Sequence, residues 1–267
     1  MYSVQYWLKF ALLHAIALCF VATAGAESLP YPDATPVYSR FINLTHPNKS
    51  LPVPTTMARD QQGFLWLGTQ QGLFRHDGTE VLEFRADPGR PDALSASWVS
   101  ALAPAPDGGL WVGTRYGGLN YYDPATERFT RYELTANFSA AAEISSLLFD
   151  ANQTLWVATY GGGLFRWQPQ QQQFLPIALP NLPNLAVNHI NDIYVDPQGG
   201  LWLALGDAPL RTIGQQQGGV LYQPADSTDW QQLHFAQTTG AVSVTRIRAA
   251  ADGQIYAASY GQGLYRY

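Results

Sequence analysis

The side chains that could do chemistry in this chain are few and scattered. His46, His76, His189 and His234 follow the first 26 residues, and no two of them form a His-x-x-x-His or His-x-His pair. The spacing that brings two imidazoles onto one metal ion is therefore missing, and neither a metal nor a cofactor is expected. No Gly-x-Ser-x-Gly elbow and no Gly-Lys-Ser/Thr phosphate loop occurs. The closest approach to an acid–base set is Asp192 and Arg246 with His189 nearby, and no second carboxylate pairs with them in a defensible way. What does recur is binding chemistry. Gln70 and Gln71, Arg115 and Tyr116, Tyr160 and Tyr260 stand in or beside Gly-rich stretches, and Trp98, Asn188, His189, Asp207 and Arg211 join them as candidate ligand-binding residues. Aromatic and Arg side chains of this kind stack on and hydrogen-bond sugars or peptides.

These residues hang on a repeated phrase. It reads Gly63-Phe-Leu-Trp-Leu-Gly-Thr69, Gly108-Gly-Leu-Trp-Val-Gly-Thr114, Gln153-Thr-Leu-Trp-Val-Ala-Thr159, Gly199-Gly-Leu-Trp-Leu-Ala-Leu205 and Gly253-Gln-Ile-Tyr-Ala-Ala-Ser259. The aromatics are spaced by 45, 45, 46 and 54 residues. A period in the 40s with one aromatic per unit and only short apolar runs is the mark of a β-propeller.

Each unit resolves into four strands. An apolar pair eleven and eight residues before the phrase's Leu or Ile (Val99 and Leu102, Ile190 and Ile193) marks the first strand. An Asp/Asn/Gly turn follows, in which Gly supplies the positive φ of a tight hairpin. In the third copy Gln153 replaces that Gly beside Asn152, whose short side chain suits the left-handed role. The Leu-Trp-Val run is the second strand, buried on both faces, and its Trp belongs to the core. Asp60, Asp150 and Asp196 open turns and are expected to bond their own backbone. A Gly-rich loop, a third strand such as Leu164–Trp167 and a fourth such as Phe129–Tyr132 complete the unit. The wider last spacing comes from an insertion at Gly206–Gln217, confined to one loop. The expected fold is all-β, a propeller of four-stranded antiparallel blades with about five repeats, read as part of a seven-bladed ring. The blades fall at about 51–87, 97–134, 143–179, 188–235 and 242–267. Arg40–Leu44, within the segment 27–50, has the look of a closing fourth strand, which leaves a closed five-bladed ring as the rival. For the Tyr-Gly-Gly loops there is also a plain structural reading, in which the Tyr only packs on the neighbouring blade.

Composition agrees. Charged residues make up 13% of the chain, with 24 Gly, 18 Pro, 8 Trp and 15 Tyr, the mix of a turn-rich β protein. The net charge is -5 and the 13 Arg and 2 Lys are dispersed, so nucleic acid is not an expected partner. Residues 1–26 read as a secretory signal, with Lys9, an apolar Phe10–Val21 and the small-x-small Ala24-Gly25-Ala26. Cys19, the only cysteine, lies inside it, so disulfides and thiolate chemistry are not expected after cleavage. An uncleaved anchor is the alternative.

The phrase resembles the two-component-regulator propeller repeat of bacterial sensor regions. The resemblance is carried by Phe41-Ile-Asn-Leu-Thr45, Asp60–Thr69 and Gly72-Leu-Phe-Arg-His-Asp-Gly78, with Asp87-Pro to Leu94-Ser-Ala-Ser97 as the passage into a second blade. It covers roughly 38–267, with Gln153, the long fourth loop and Tyr256 as departures. It implies a periplasmic, non-catalytic sensing region of a membrane-anchored, dimeric receptor, whose output is a histidine kinase or diguanylate cyclase. The implied ligand is extracellular or periplasmic, with carbohydrate as the family-level expectation. A propeller enzyme of streptogramin-lyase or glycosidase type and a five-bladed binding scaffold are the alternatives.

Overall fold

The computed structural model describes residues 51–87, 89–134, 143–182, 185–206, 218–235 and 242–267. The expected signal segment 1–26, the expected closing strand Arg40–Leu44 and most of the fourth-blade insertion, with Asp207 and Arg211, lie outside them.

The described residues form five antiparallel meanders. The first holds β1 (Pro54–Arg59), β2 (Leu65–Thr69), β3 (Leu73–His76) and β4 (Val81–Phe84). The second holds β5 (Val99–Pro104), β6 (Leu110–Thr114), β7 (Leu119–Asp123) and β8 (Arg128–Tyr132), and the third β9 (Glu143–Phe149), β10 (Leu155–Tyr160), β11 (Gly163–Gln168) and β12 (Gln173–Ile177). The fourth is β13 (Ile190–Val195), β14 (Leu201–Leu205), β15 (Gly219–Gln223) and β16 (Gln231–Leu233); the fifth is β17 (Val244–Ala249), β18 (Ile255–Ser259) and β19 (Gly263–Arg266). First strands lie side by side, β1 against β5, then β9, β13 and β17. This is the propeller architecture expected from the repeat.

Apolar burial occurs between blades, not in one central mass. Successive cores lie between consecutive meanders: Trp66, Val99 and Tyr122 between the first two, Trp111, Val157 and Phe174 in the next, Leu164, Ile193 and Leu203 in the third, and Trp202, Val244 and Ile247 in the last. That explains the unbroken apolar second strands: β6 and β14 are buried at every residue because a blade covers each face. The phrase tryptophans are core as expected, Trp66, Trp111 and Trp202 buried and Trp156 half-buried.

Two local devices went beyond the sequence reading. Asp60, Asp150 and Asp196 do bond their own backbone, accepting the N–H of Phe64, Thr154 and Gly200 at 2.9, 2.9 and 2.7 Å. Their other oxygen accepts the indole N–H of the Trp six residues on, at 2.7, 2.9 and 2.8 Å. One carboxylate thus fixes both the turn and the core ring. In the third turn the left-handed residue is Gln153, at φ 60°, and not Asn152. The hairpin register, with Leu155 opposite Phe149, puts the positive φ at the place Gly occupies in the other copies, whatever side chain stands there.

The second device joins the blades. Every first strand carries a register shift, and the residue at the shift is Thr55, Ser100, Ser145, Asn191 or Thr245. The first four donate to the carbonyl that opens the next blade: Thr55 to Val99, Ser100 to Ile144 and Ser145 to Ile190 at 2.5 Å, and Asn191 to Val244 at 2.8 Å. The bulge turns each small polar side chain into a stitch across the blade boundary.

Candidate functional site

The candidate site grows from the last residue of the phrase. Thr69, Thr114 and Thr159 are almost fully buried. Each hydroxyl donates to a glycine carbonyl closing the loop, Thr69 to Gly72 at 3.0 Å, Thr114 to Gly118 at 2.9 Å and Thr159 to Gly163 at 2.8 Å. Each also accepts a backbone N–H of that loop, from Gln71, Gly117 and Gly162. The loop is clamped at both ends, so the residue after the Thr projects in a fixed direction. In the fourth blade Leu205 takes the Thr position and cannot make this clamp, and that is where the inserted loop begins.

Two of those projecting residues meet the residue at the start of a first strand or just before it. Arg115 donates its backbone N–H to the Trp98 carbonyl at 2.9 Å, and Tyr160 pairs with Glu143 across the β9–β10 ladder. Their side chains then reach the next blade. The Arg115 guanidinium lies 4.3 Å over the Trp98 ring and 5.4 Å from that of Tyr116, while its Nε comes 3.3 Å from the Glu143 carboxylate. Tyr160 stacks on His189, with centroids 4.5 Å apart and rings at 24°. Gly161 and Gly163 both donate to the Asn188 carbonyl, at 2.8 and 3.2 Å. The result is a continuous arc, Trp98–Arg115–Glu143–Tyr160–His189, crossing three blades at one end of their strands.

The arc assigns roles. Arg115 is only 12% exposed and Glu143 19%, so this ion pair is largely closed off from water and holds Trp98 and Tyr116 in place. Tyr116, 58% exposed, meets Trp98 edge-on at 6.2 Å and offers its ring to solvent. Half-buried Trp98, Tyr160 and His189 supply further ring faces and polar edges. This arrangement suits stacking and hydrogen bonding to a polar, ring-shaped ligand. Gln70 and Gln71 on the first loop and Tyr260 on the fifth are exposed, and they stand on loops other than those that form the arc. Glu143 was not among the residues singled out by sequence; its signal was position, since it stands one residue before Ile144 just as Trp98 and His189 stand before Val99 and Ile190.

The acid–base candidates take other partners. Asp192 is buried and accepts from Ser146 Oγ at 3.2 Å, Ile247 N at 3.0 Å and Arg248 Nη1 at 2.6 Å. Arg246 donates to the carbonyls of Asn191 and Thr245, and His189 lies on Tyr160. Among the described residues no group of three or more His, Cys, Asp and Glu side chains is placed to hold a metal ion, and no helix is long and apolar enough to cross a membrane.

Comparison with known proteins agrees with the repeat. Residues 93–116, which include Trp98, Arg115 and Tyr116, match the family described as two component regulator propeller, and residues 110–242 match the SMP-30/gluconolactonase/LRE-like region. The match to the two-component-regulator propeller repeat thus falls on one stretch, residues 93–116. Similar solved structures include the extracellular domains of a hybrid two-component system (19% identity, TM-score 0.63) and of a one-component system (23%, 0.63), both from B. thetaiotaomicron. The matches cover 79% and 84% of this chain, which spans 28% of each of those chains. Virginiamycin B lyase from Staphylococcus aureus is also similar (13% identity, TM-score 0.57, covering 80% of this chain and 69% of the enzyme). At these identities the likeness is one of fold. No curated protein shows significant sequence similarity to the chain.

Proposed function

We propose that this chain is a ligand-sensing propeller, exported from the cell and non-catalytic, that reports binding to a membrane-linked output. In this reading the output is a histidine kinase or diguanylate cyclase in a dimeric receptor. The observation that carries it is the arc, which ties three blades together through side chains that are in part open to solvent. Occupancy there would bias how the blades pack, and a receptor can read that as a shift between two arrangements. The two-component-regulator repeat over 93–116 supports the reading, because the repeat itself contributes Trp98 and Arg115.

The ligand class we propose for the arc is carbohydrate, since flat aromatic rings flanked by the His189 imidazole and the tyrosine hydroxyls match the alternating faces and hydroxyls of a pyranose. A test is intrinsic tryptophan fluorescence with defined neutral oligosaccharides of glucose, xylose, arabinose and galactose. One set should shift the emission, and Trp98→Ala and Tyr116→Ala should each weaken that binding by about tenfold or more. Silence across all the sets, or binding that survives both substitutions, would reject the arc as the sensor site.

A second reading, a propeller enzyme, draws on the match across 110–242. It requires an acid and a base converging at one point, whereas Asp192 is committed to Ser146, Ile247 and Arg248.

A further inference from the structure

A groove of about 610 Å³ opens between the second and third blades, at the opposite end of the strands from the arc. Three turns border it. The β5–β6 turn brings Ala105 and Asp107, the β9–β10 turn Asn152 and Gln153, and the β11–β12 turn Gln168 and Gln170. Two departures from the repeat coincide there. Ala105 stands where Asp60, Asp150 and Asp196 stand in other blades. In those blades the carboxylate accepts the indole N–H of the Trp six residues on, whereas Trp111 finds only a methyl group in that place. Ala105 and Trp111 both line the groove, and no described residue accepts the Trp111 N–H. The second departure is Gln153, held at φ 60° where the other four copies carry Gly63, Gly108, Gly199 and Gly253. A left-handed backbone strains a residue with a side chain, and here it sets an amide on the groove's rim.

The groove presents little charge. Arg166 borders it, but it pairs with Trp156 across the β10–β11 ladder, and its guanidinium lies 6.0 Å over that ring, toward the fourth blade. Asp107 already accepts the Gly109 N–H at 3.1 Å. Burial, then Asp107, holds the Tyr121 and Tyr132 phenols above their ordinary range, so both are uncharged hydroxyls at neutral pH. Half-buried Tyr121, Tyr132, Phe149 and Trp167 make up the apolar part of the lining. A donor without an acceptor, set among apolar groups, fits the carbonyl of an amide. An acetamido group brings that carbonyl, a methyl for the aromatic lining and an N–H for an acceptor on the rim. Side-chain amides donate and accept at once, which suits the hydroxyls of a sugar that carries such a group.

We propose that this groove binds saccharides of N-acetylhexosamine. The acetamido carbonyl accepts the Trp111 N–H, its methyl lies against the aromatic lining, and the ring hydroxyls meet Asn152, Gln153 and Gln168. The site is separate from the arc and does not rest on the sensor reading.

The test titrates the full chain with triacetylchitotriose and with cellotriose, which has the same glucan backbone without acetamido groups, and reads tryptophan fluorescence. Triacetylchitotriose should bind at least about tenfold tighter than cellotriose. Ala105→Asp supplies the acceptor that Trp66, Trp156 and Trp202 have, and should weaken that binding about tenfold or more without lowering the melting temperature. Gln153→Gly relieves the strained turn and removes the amide together, so it should raise the melting temperature while weakening binding about threefold or more. Trp98→Ala, in the arc, should leave this binding unchanged. Acetyl-trialanine amide, which has the carbonyls but no hydroxyls, should not compete. No response to triacetylchitotriose up to about 10 mM, equal binding of cellotriose, or competition by the peptide would each overturn the proposal. So would binding that survives Ala105→Asp or Gln153→Gly, or that is lost in Trp98→Ala.

Discussion

At the scale of single residues, this chain is governed by side chains that serve two partners at once. Asp196 is the clearest case. It accepts the Gly200 and Gln198 backbone N–H groups and, on its second oxygen, the Trp202 indole. Removing it leaves a buried indole N–H and two turn amides without acceptors. Asp196→Ala should therefore lower stability by roughly 2–3 kcal/mol, measured by urea denaturation. A loss under about 0.5 kcal/mol would mean that the carboxylate only decorates the turn. The paired oxygens also explain why only half of this was legible. Asp at the head of a Gly-rich turn announces a backbone bond, but nothing in a one-dimensional spacing of six says that an indole edge folds back onto the same carboxylate.

Elements are held to one another by the bulged first strands. The residue at the shift is always Thr, Ser or Asn, a pattern present in the sequence at the position after Pro54, Val99, Ile144, Ile190 and Val244. In one dimension a polar residue among apolar ones in an inner strand looks like ordinary alternation. Its meaning needs the neighbouring blade. Ser145 donates to Ile190, 45 residues away, whereas Thr245 donates to Ala258 of its own blade. Ser145→Ala should cost about 1 kcal/mol, and Thr245→Ala less than half of that, in matched chemical denaturation curves. Equal losses would show that the cross-blade bond adds nothing to the local one. The same inter-blade logic places the arc, since Arg115 and Tyr160 find Glu143 and His189 only because first strands of successive blades lie side by side.

For the molecule as a whole, burial depends on whether a blade has a neighbour. Leu164 and Leu264 hold the same place in their repeats, yet Leu164 is 1% exposed and Leu264 is 67% exposed. Met57, on the outer face of the first blade, is 68% exposed, while its counterparts Ile193 and Ile247 are buried. Leu164→Ala should thus cost about 2–5 kcal/mol and Leu264→Ala under about 0.5 kcal/mol. Comparable losses at both sites would show that the fifth blade's outer face is covered in solution.

The sequence by itself determined the repeat, the four-strand unit, the buried tryptophans and the loops that carry Arg115, Tyr116 and Tyr160. These follow from local chemistry, because apolar runs, turn residues and a fixed period act within one blade. Tertiary structure alone decided which side chains meet. Glu143 joined the site, and Arg115 became a support for Trp98. Each of these outcomes depends on contacts between blades about 45 residues apart. Such contacts are set by how sheets stack and leave little local trace in the order of residues.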